Sequence, residues 1–98
     1  MDITPKHAKI VQDILKKNLL SNTKVFIFGS RVTKAKKKFS DLDLAMDANE
    51  ILPISILSSL EHDFSESDLP YKVDIVDLNN MSESFRKKIQ MEMILFWP

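Results

Sequence analysis

The sequence predicts an α+β domain: a small mixed β-sheet of three to four strands with helices mainly on one face. Three observations lead there. An apolar stripe at helical spacing runs from Ile10 to Leu19. Short apolar runs follow at 25–28, 42–46 and 71–78, the first of them β-branched and aromatic. A second helical pattern then separates the last two of these runs. Ninety-eight residues fit one domain, spanning 1–98, with a real but modest core.

Composition excludes several classes of function. Lysine plus arginine equals aspartate plus glutamate, 14 each, so no global field draws nucleic acid, and direct nucleic-acid binding is not expected. The absence of cysteine removes disulfides and zinc–thiolate sites. No apolar run approaches the roughly 18 residues of a membrane span, and the N-terminus has no signal-peptide core, so a cytoplasmic location without a membrane partner is expected.

Taken in order, the first element is a helix from Pro5 to Leu20. Thr4 is placed to cap it, and Pro5 suits the first helical position, where its missing N–H is not needed. Ile10, Val11, Ile14, Leu15 and Leu19 form the core stripe, with Lys6, Lys9, Lys16 and Lys17 largely opposite. His7 reads as a surface residue, because no second histidine lies near it.

A strand, Lys24–Phe28, delivers the chain to Gly29, the single glycine of the protein. Lacking a Cβ, it lets the backbone turn sharply and come close to a bound anion. Ser30 offers a hydroxyl and an N–H, and Arg31 a planar cationic fork, to the same anion; a short helix is expected to begin here. Taken alone, Gly29 would be read as serving an ordinary turn and Arg31 a surface ion pair; the aspartates that follow reverse that preference. The lysine-rich connection that follows, Lys34-Ala35-Lys36-Lys37-Lys38, either neutralises phosphates or is a solvated loop.

From Ser40 to Met46 a second strand is expected. Period-2 geometry puts Asp41 and Asp43 side by side on one face and turns Leu42 and Leu44 to the core. Adjacent carboxylates repel unless a proton or cation lies between them. An oxygen-only donor set of this kind suits Mg²⁺, and Mn²⁺ equally. Asp47 either shares that face or, as expected here, caps the polar turn that follows.

Pro53 starts a helix within Ile51–His62, with Ile54, Leu57, Ser58 and Leu60 or Glu61 in register, and 63–70 reads as an acidic loop. Tyr71–Leu78 is the third strand. Val73 and Ile75 face one way, Asp74 and Val76 the other, and Asp77 ends the strand. An acid inside such an apolar run is expensive to bury without a partner, which makes Asp74 the candidate third carboxylate; the alternative is that it lies on the exposed face of an edge strand. A last helix, capped by Ser82 and running to Gln90, places Phe85 and Ile89 on its core side. From Met91 the pattern loses its period. This tail either packs on the domain as an extended segment, the expected outcome for a small core, or joins a protein interface.

Gly29-Ser30, ten intervening residues, then Asp41-Leu42-Asp43, all between two strand-like runs, resembles the GS-x10-D-x-D signature of the DNA polymerase beta-like nucleotidyltransferase superfamily. The short chain narrows the resemblance to the minimal nucleotidyltransferases, the MNT antitoxins found beside HEPN toxins. Asp74 matches the family's acid on the strand next to D-x-D. Where many relatives read GSRARG, this chain has Val32-Thr33-Lys34 after Gly29-Ser30-Arg31, and the missing second glycine bears on how closely the loop wraps a triphosphate.

The resemblance implies the nucleotidyltransferase fold, with Asp41, Asp43 and Asp74 as catalytic and metal-holding residues for Mg²⁺ or Mn²⁺, and Gly29, Ser30 and Arg31 on the phosphates of ATP. It further implies transfer of AMP to a hydroxyl, a tyrosine of a cognate HEPN ribonuclease toxin, by an antitoxin of a type VII toxin–antitoxin pair that forms a hetero-oligomer with its toxin. Two other readings stand beside it: a non-catalytic antitoxin that binds and masks the toxin, and an enzyme acting on a small molecule or a free RNA end. The intact set of acids favours catalysis, because a pure binder has no need of mutually repelling carboxylates.

Overall fold

The structure, a computed structural model, describes residues 3–33 and 41–98. The lysine-rich connection and Ser40, at the expected start of the second strand, lie outside the described residues. In chain order the described elements are α1 (Pro5–Asn18), β1 (Lys24–Phe28), α2 (Ser30–Thr33), β2 (Leu42–Asp47), α3 (Ile54–Ser65), β3 (Val73–Asp77), α4 (Glu83–Gln90) and β4 (Ile94–Trp97). The strands form one mixed sheet in the order β3-β2-β1-β4. β1 is antiparallel to both β2 and β4, whereas β2 and β3 are parallel. A parallel neighbour requires a crossover, and α3 supplies it.

Period-2 alternation divides the sheet into two faces. Val25 and Ile27, Leu42, Leu44 and Met46, and Val73 and Ile75 pack on one side with Val11 and Leu15 of α1 and Leu60 and Phe64 of α3. Each such side chain, fully buried, contributes about 1.5–3 kcal/mol. On the other side Ala45, Phe26, Phe28 and Val76 meet Ile89 of α4, together with Leu78, Met81 and Met93. The two long helices thus share one face, as expected, and the short α4 covers part of the other.

The caps are those the sequence predicts. Thr4 Oγ1 accepts from the His7 N–H at 3.3 Å and Ser82 Oγ from the Phe85 N–H at 3.2 Å. Two helical registers differ from expectation. In α3 the inward stripe is Ile56, Leu57, Leu60 and Phe64, while Ile54 is 80% exposed; the helix starts after Pro53 and continues to Ser65, which rotates Ile54 outward. In α4 only Ile89 is buried and Phe85 is 47% exposed, because a helix of two turns over this narrow sheet seats one large side chain. The terminal run does pack as an extended segment, since β4 pairs with β1 and extends the sheet.

Two acids hold the sheet together at the end away from Gly29. Asp47 Oδ1 accepts from the Asn49 N–H and from Asn79 Nδ2, both at 2.9 Å. The buried Asp77 carboxylate accepts from the Leu52 N–H at 2.8 Å and the Asn79 N–H at 2.9 Å. Asp47 shares the face of Asp43 but stands four residues along the strand, about 13 Å away at the usual strand rise. It caps the turn, as expected, and its hydrogen bonds to Asn79 and Asn49 hold its carboxyl below the usual range.

Candidate functional site

The site forms where β1 ends and β2 and β3 begin. Antiparallel pairing sets Phe28 opposite Asp43, and parallel pairing sets Asp43 opposite Asp74. Facing residues of neighbouring strands project to the same side, so both carboxylates leave the sheet together, just beyond the Gly29 turn. Asp41, exposed and one residue ahead of β2, adds a third charge. The half-buried Asp43 carboxyl is pushed up, first by burial and then by the negative charges of Asp74, Asp41 and Glu92; Arg31 opposes this. Three of the expected site residues therefore share one electrostatic neighbourhood.

Gly29 is fixed there for two separable reasons. Its φ of +80° lies in the left-handed region that side chains disfavour. In addition, a Cβ at this position would fall on the Asp43 carboxylate. The turn continues into the single helical turn of α2, closed by a 3.0 Å bond from the Val32 N–H to the Gly29 carbonyl. The short helix expected after the motif is therefore present, with Ser30 as its first residue.

Arg31 is placed differently from a surface fork. It is only 8% exposed, and its guanidinium lies 4.0 Å above the centre of the Tyr71 ring. The Tyr71 hydroxyl is hydrogen-bonded to His7 Nδ1 at 3.2 Å, and the two rings meet edge to face. His7, expected as a plain surface residue, is half-buried in this stack. Burial also pushes the Tyr71 phenol above its ordinary range, against the pull of Arg31. The arrangement anchors Arg31 to α1 and to the segment leading into β3, within electrostatic reach of Asp43.

The stack carries a test. Tyr71→Phe keeps the ring under Arg31 and removes one hydrogen bond, a loss of about 0.5–1.5 kcal/mol. Tyr71→Leu removes the cation–π partner as well and is expected to cost about 1–2 kcal/mol more. Urea midpoints of the two variants give the comparison. Equal losses would mean that the ring does not hold Arg31.

Asp74 lies on an edge strand with its side chain 40% exposed, paired to Lys72 at 3.4 Å. A groove of about 670 Å³ follows that edge and is lined by Asp74, Lys72, Tyr71, Phe64 and Val76 among others, so Asp74 borders free space. Among the described residues no group of three or more histidine, cysteine or acidic side chains is already set to hold a metal ion. The acids are neighbours and not a closed cage. They fit a divalent cation by donor chemistry, being all oxygen, mutually repelling and incompletely offset by Arg31.

Sequence reasoning overlooked Glu92 and Tyr71 and read His7 as a surface residue. Glu92 had a usable signal. It is the lone acid in the apolar run from Met91 to Trp97, the same pattern that singled out Asp74. The Arg31–Tyr71–His7 stack had none, because it joins three distant elements.

A family model described as "Polymerase beta, Nucleotidyltransferase" matches residues 9–97 of this chain. Among curated proteins, the chain is 43% identical over 90 residues to a Haemophilus influenzae protein described as "Probable protein adenylyltransferase MntA", covering 92% of this chain and 78% of that one. Among solved structures it resembles a chain of a toxin–antitoxin crystallised with AMP-PNP, with a TM-score of 0.76 and 23% identity over 92% of this chain and 72% of the other. It also resembles a chain of a complex between the tri-AMPylated Shewanella oneidensis HEPN toxin and its MNT antitoxin, with a TM-score of 0.68 and 23% identity over 92% and 68%. At these identities the structural likenesses establish the fold.

Proposed function

We propose, for a chain that belongs to the Polymerase beta nucleotidyltransferase family, that its reaction is the transfer of AMP from ATP to a hydroxyl, a tyrosine side chain, of a cognate HEPN toxin, which the transfer silences. The observation that carries this reading is the pairing of Asp43 with Asp74 on one sheet face, with Asp41 adjoining, directly beside the Gly29 turn. The adenylyltransferase description of the Haemophilus relative and the HEPN toxin bound in the Shewanella complex support the choice of nucleotide and acceptor.

The chain's residues divide the work. The Gly29–Ser30 turn receives the β- and γ-phosphates, and Arg31, held by Tyr71, supplies positive charge next to them. Asp41, Asp43 and Asp74 would hold Mg²⁺ or Mn²⁺, which when bound would supply positive charge to offset the negative charge of the triphosphate and of the attacking and leaving oxygens. The acceptor oxygen bonds to the α-phosphorus as the bond from that phosphorus to its β-bridging oxygen breaks. Pyrophosphate leaves, and the hydroxyl proton passes to Asp74.

A masking antitoxin is favoured by one observation: Phe85, Met91 and Leu95 stay open to solvent on the C-terminal elements, and such side chains suit a partner surface. One experiment separates the two. The toxin encoded beside this protein is incubated with it, ATP and Mg²⁺, and weighed intact. Gain of AMP units, lost with Asp41→Ala/Asp43→Ala, is the expected result. A stable complex whose toxin mass is unchanged would replace transfer with masking.

A further inference from the structure

The Gly29 amide stands just past the last β1–β4 pair, Ile27 with Ile94, so the ladder offers it no backbone partner. Glu92 takes it instead, its Oε1 accepting the Gly29 N–H at 3.0 Å across a separation of 63 residues. Both ends of this bond are fixed. The turn after α4 is closed by bonds from the Glu92 N–H to the Ile89 carbonyl at 3.1 Å and from the Met93 N–H to the same carbonyl at 3.0 Å. Ile89 is buried under the sheet, and β4 continues directly from this turn along β1. On the other side, Gly29 is seated against the Asp43 carboxylate and leads straight into Ser30 and Arg31.

We propose that Glu92 is a positioning residue for the nucleotide: by holding the Gly29 amide it fixes the turn that carries Ser30 and Arg31 at one distance from the acids of β2. This rests on the nucleotidyl-transfer reading and adds a residue that the motif does not contain. A charged acceptor makes a stronger bond to an amide than a neutral one, and it fixes a turn whose left-handed backbone has no side chain to anchor it. It also means that the Gly29 N–H is already engaged, so phosphate contacts fall to the residues after it.

The test uses a feature of the composition. Gly29 is the single glycine, so protein labelled with ¹⁵N-glycine gives one backbone amide signal, free of overlap. In Glu92→Ala that signal is expected to move upfield and to exchange with solvent about tenfold faster or more. ATP with Mg²⁺, titrated against the same signal, is expected to bind Glu92→Ala about tenfold more weakly. Glu92→Gln, which still offers an acceptor oxygen but a neutral and weaker one, restores both in part. Circular dichroism melts of both variants confirm that they are folded.

An unchanged Gly29 signal in Glu92→Ala overturns the inference, as does a changed signal with wild-type ATP affinity, which would make the bond merely structural. If the wild-type signal itself ignores ATP and Mg²⁺, the nucleotidyl reading fails and takes this inference with it. That outcome is visible in the parent protein before any variant is made.

Discussion

Asp43→Asn is expected to abolish AMP transfer, by on the order of 10³-fold or more, while leaving the fold slightly more stable than wild type. The two effects share one cause. Asp43 is surrounded by Asp74, Asp41 and Glu92, and its carboxyl is pushed above the ordinary value of 3.8 by burial and by those charges. A raised value means that the folded protein binds this proton more tightly than the unfolded chain does. Wild-type stability therefore falls as pH rises from 3.8 through the raised folded value, and stays reduced above it. Asparagine carries no charge and escapes the penalty. Its advantage should be present at neutral pH and vanish on acidification below 3.8.

Because the site is partly open to solvent, the gain is small, about 0.5 kcal/mol, or a rise in Tm of about 2–4 °C for a domain of this size. Mg²⁺ should reverse the order. An ion that binds only the folded wild type raises its Tm, and Asp43→Asn should not respond. Thermal melts at neutral and acidic pH, with and without Mg²⁺, measure all of this together. A variant less stable than wild type at neutral pH would show that Asp43 is held by attraction and not crowded by repulsion.

Residues whose environment is local were legible in the sequence. The place of Asp43 on β2 follows from strand period, the Gly29 turn from composition, and both helix caps from Thr4 and Ser82, whereas Asp41, expected on the same strand, lies one residue ahead of it. Asp74 was found because a charge interrupts an apolar run. Features set by packing across the molecule were not legible. Ile54 and Phe85 have helical spacing that fits an inward face, yet the width of the sheet and the starting phase of each helix leave them outside. Arg31 could be identified as a cation near the motif, but its seat over Tyr71 depends on α1 and the segment leading into β3 arriving together. Glu92 reaches Gly29 only because β4 closes the sheet beside β1, a pairing that the aperiodic tail did not disclose.

The register also gives the motif spacing a physical meaning, and Gly29→Ala tests it. Pairing of Phe28 with Asp43 brings the residue after β1 against the first strand acid, so the space a methyl would need at Gly29 already holds that carboxylate. Two penalties are then combined. An alanine held near φ +80° costs about 1–2 kcal/mol by backbone strain alone. Displacing Asp43 adds about the same again, for a total of about 2–4 kcal/mol, and transfer is lost because the carboxylate has moved. Removing the obstacle should remove only the second part. In an Asp43→Ala background, Gly29→Ala is expected to cost only the backbone share, leaving a coupling of about 1–2 kcal/mol between the two positions. Urea denaturation of the four proteins in this cycle measures that coupling. If Gly29→Ala costs the same in both backgrounds, the glycine serves its own dihedral angle and the carboxylate is not seated against it. With coupling, Gly-Ser and D-x-D form one contact, and what the spacing between them must preserve is the β1–β2 register.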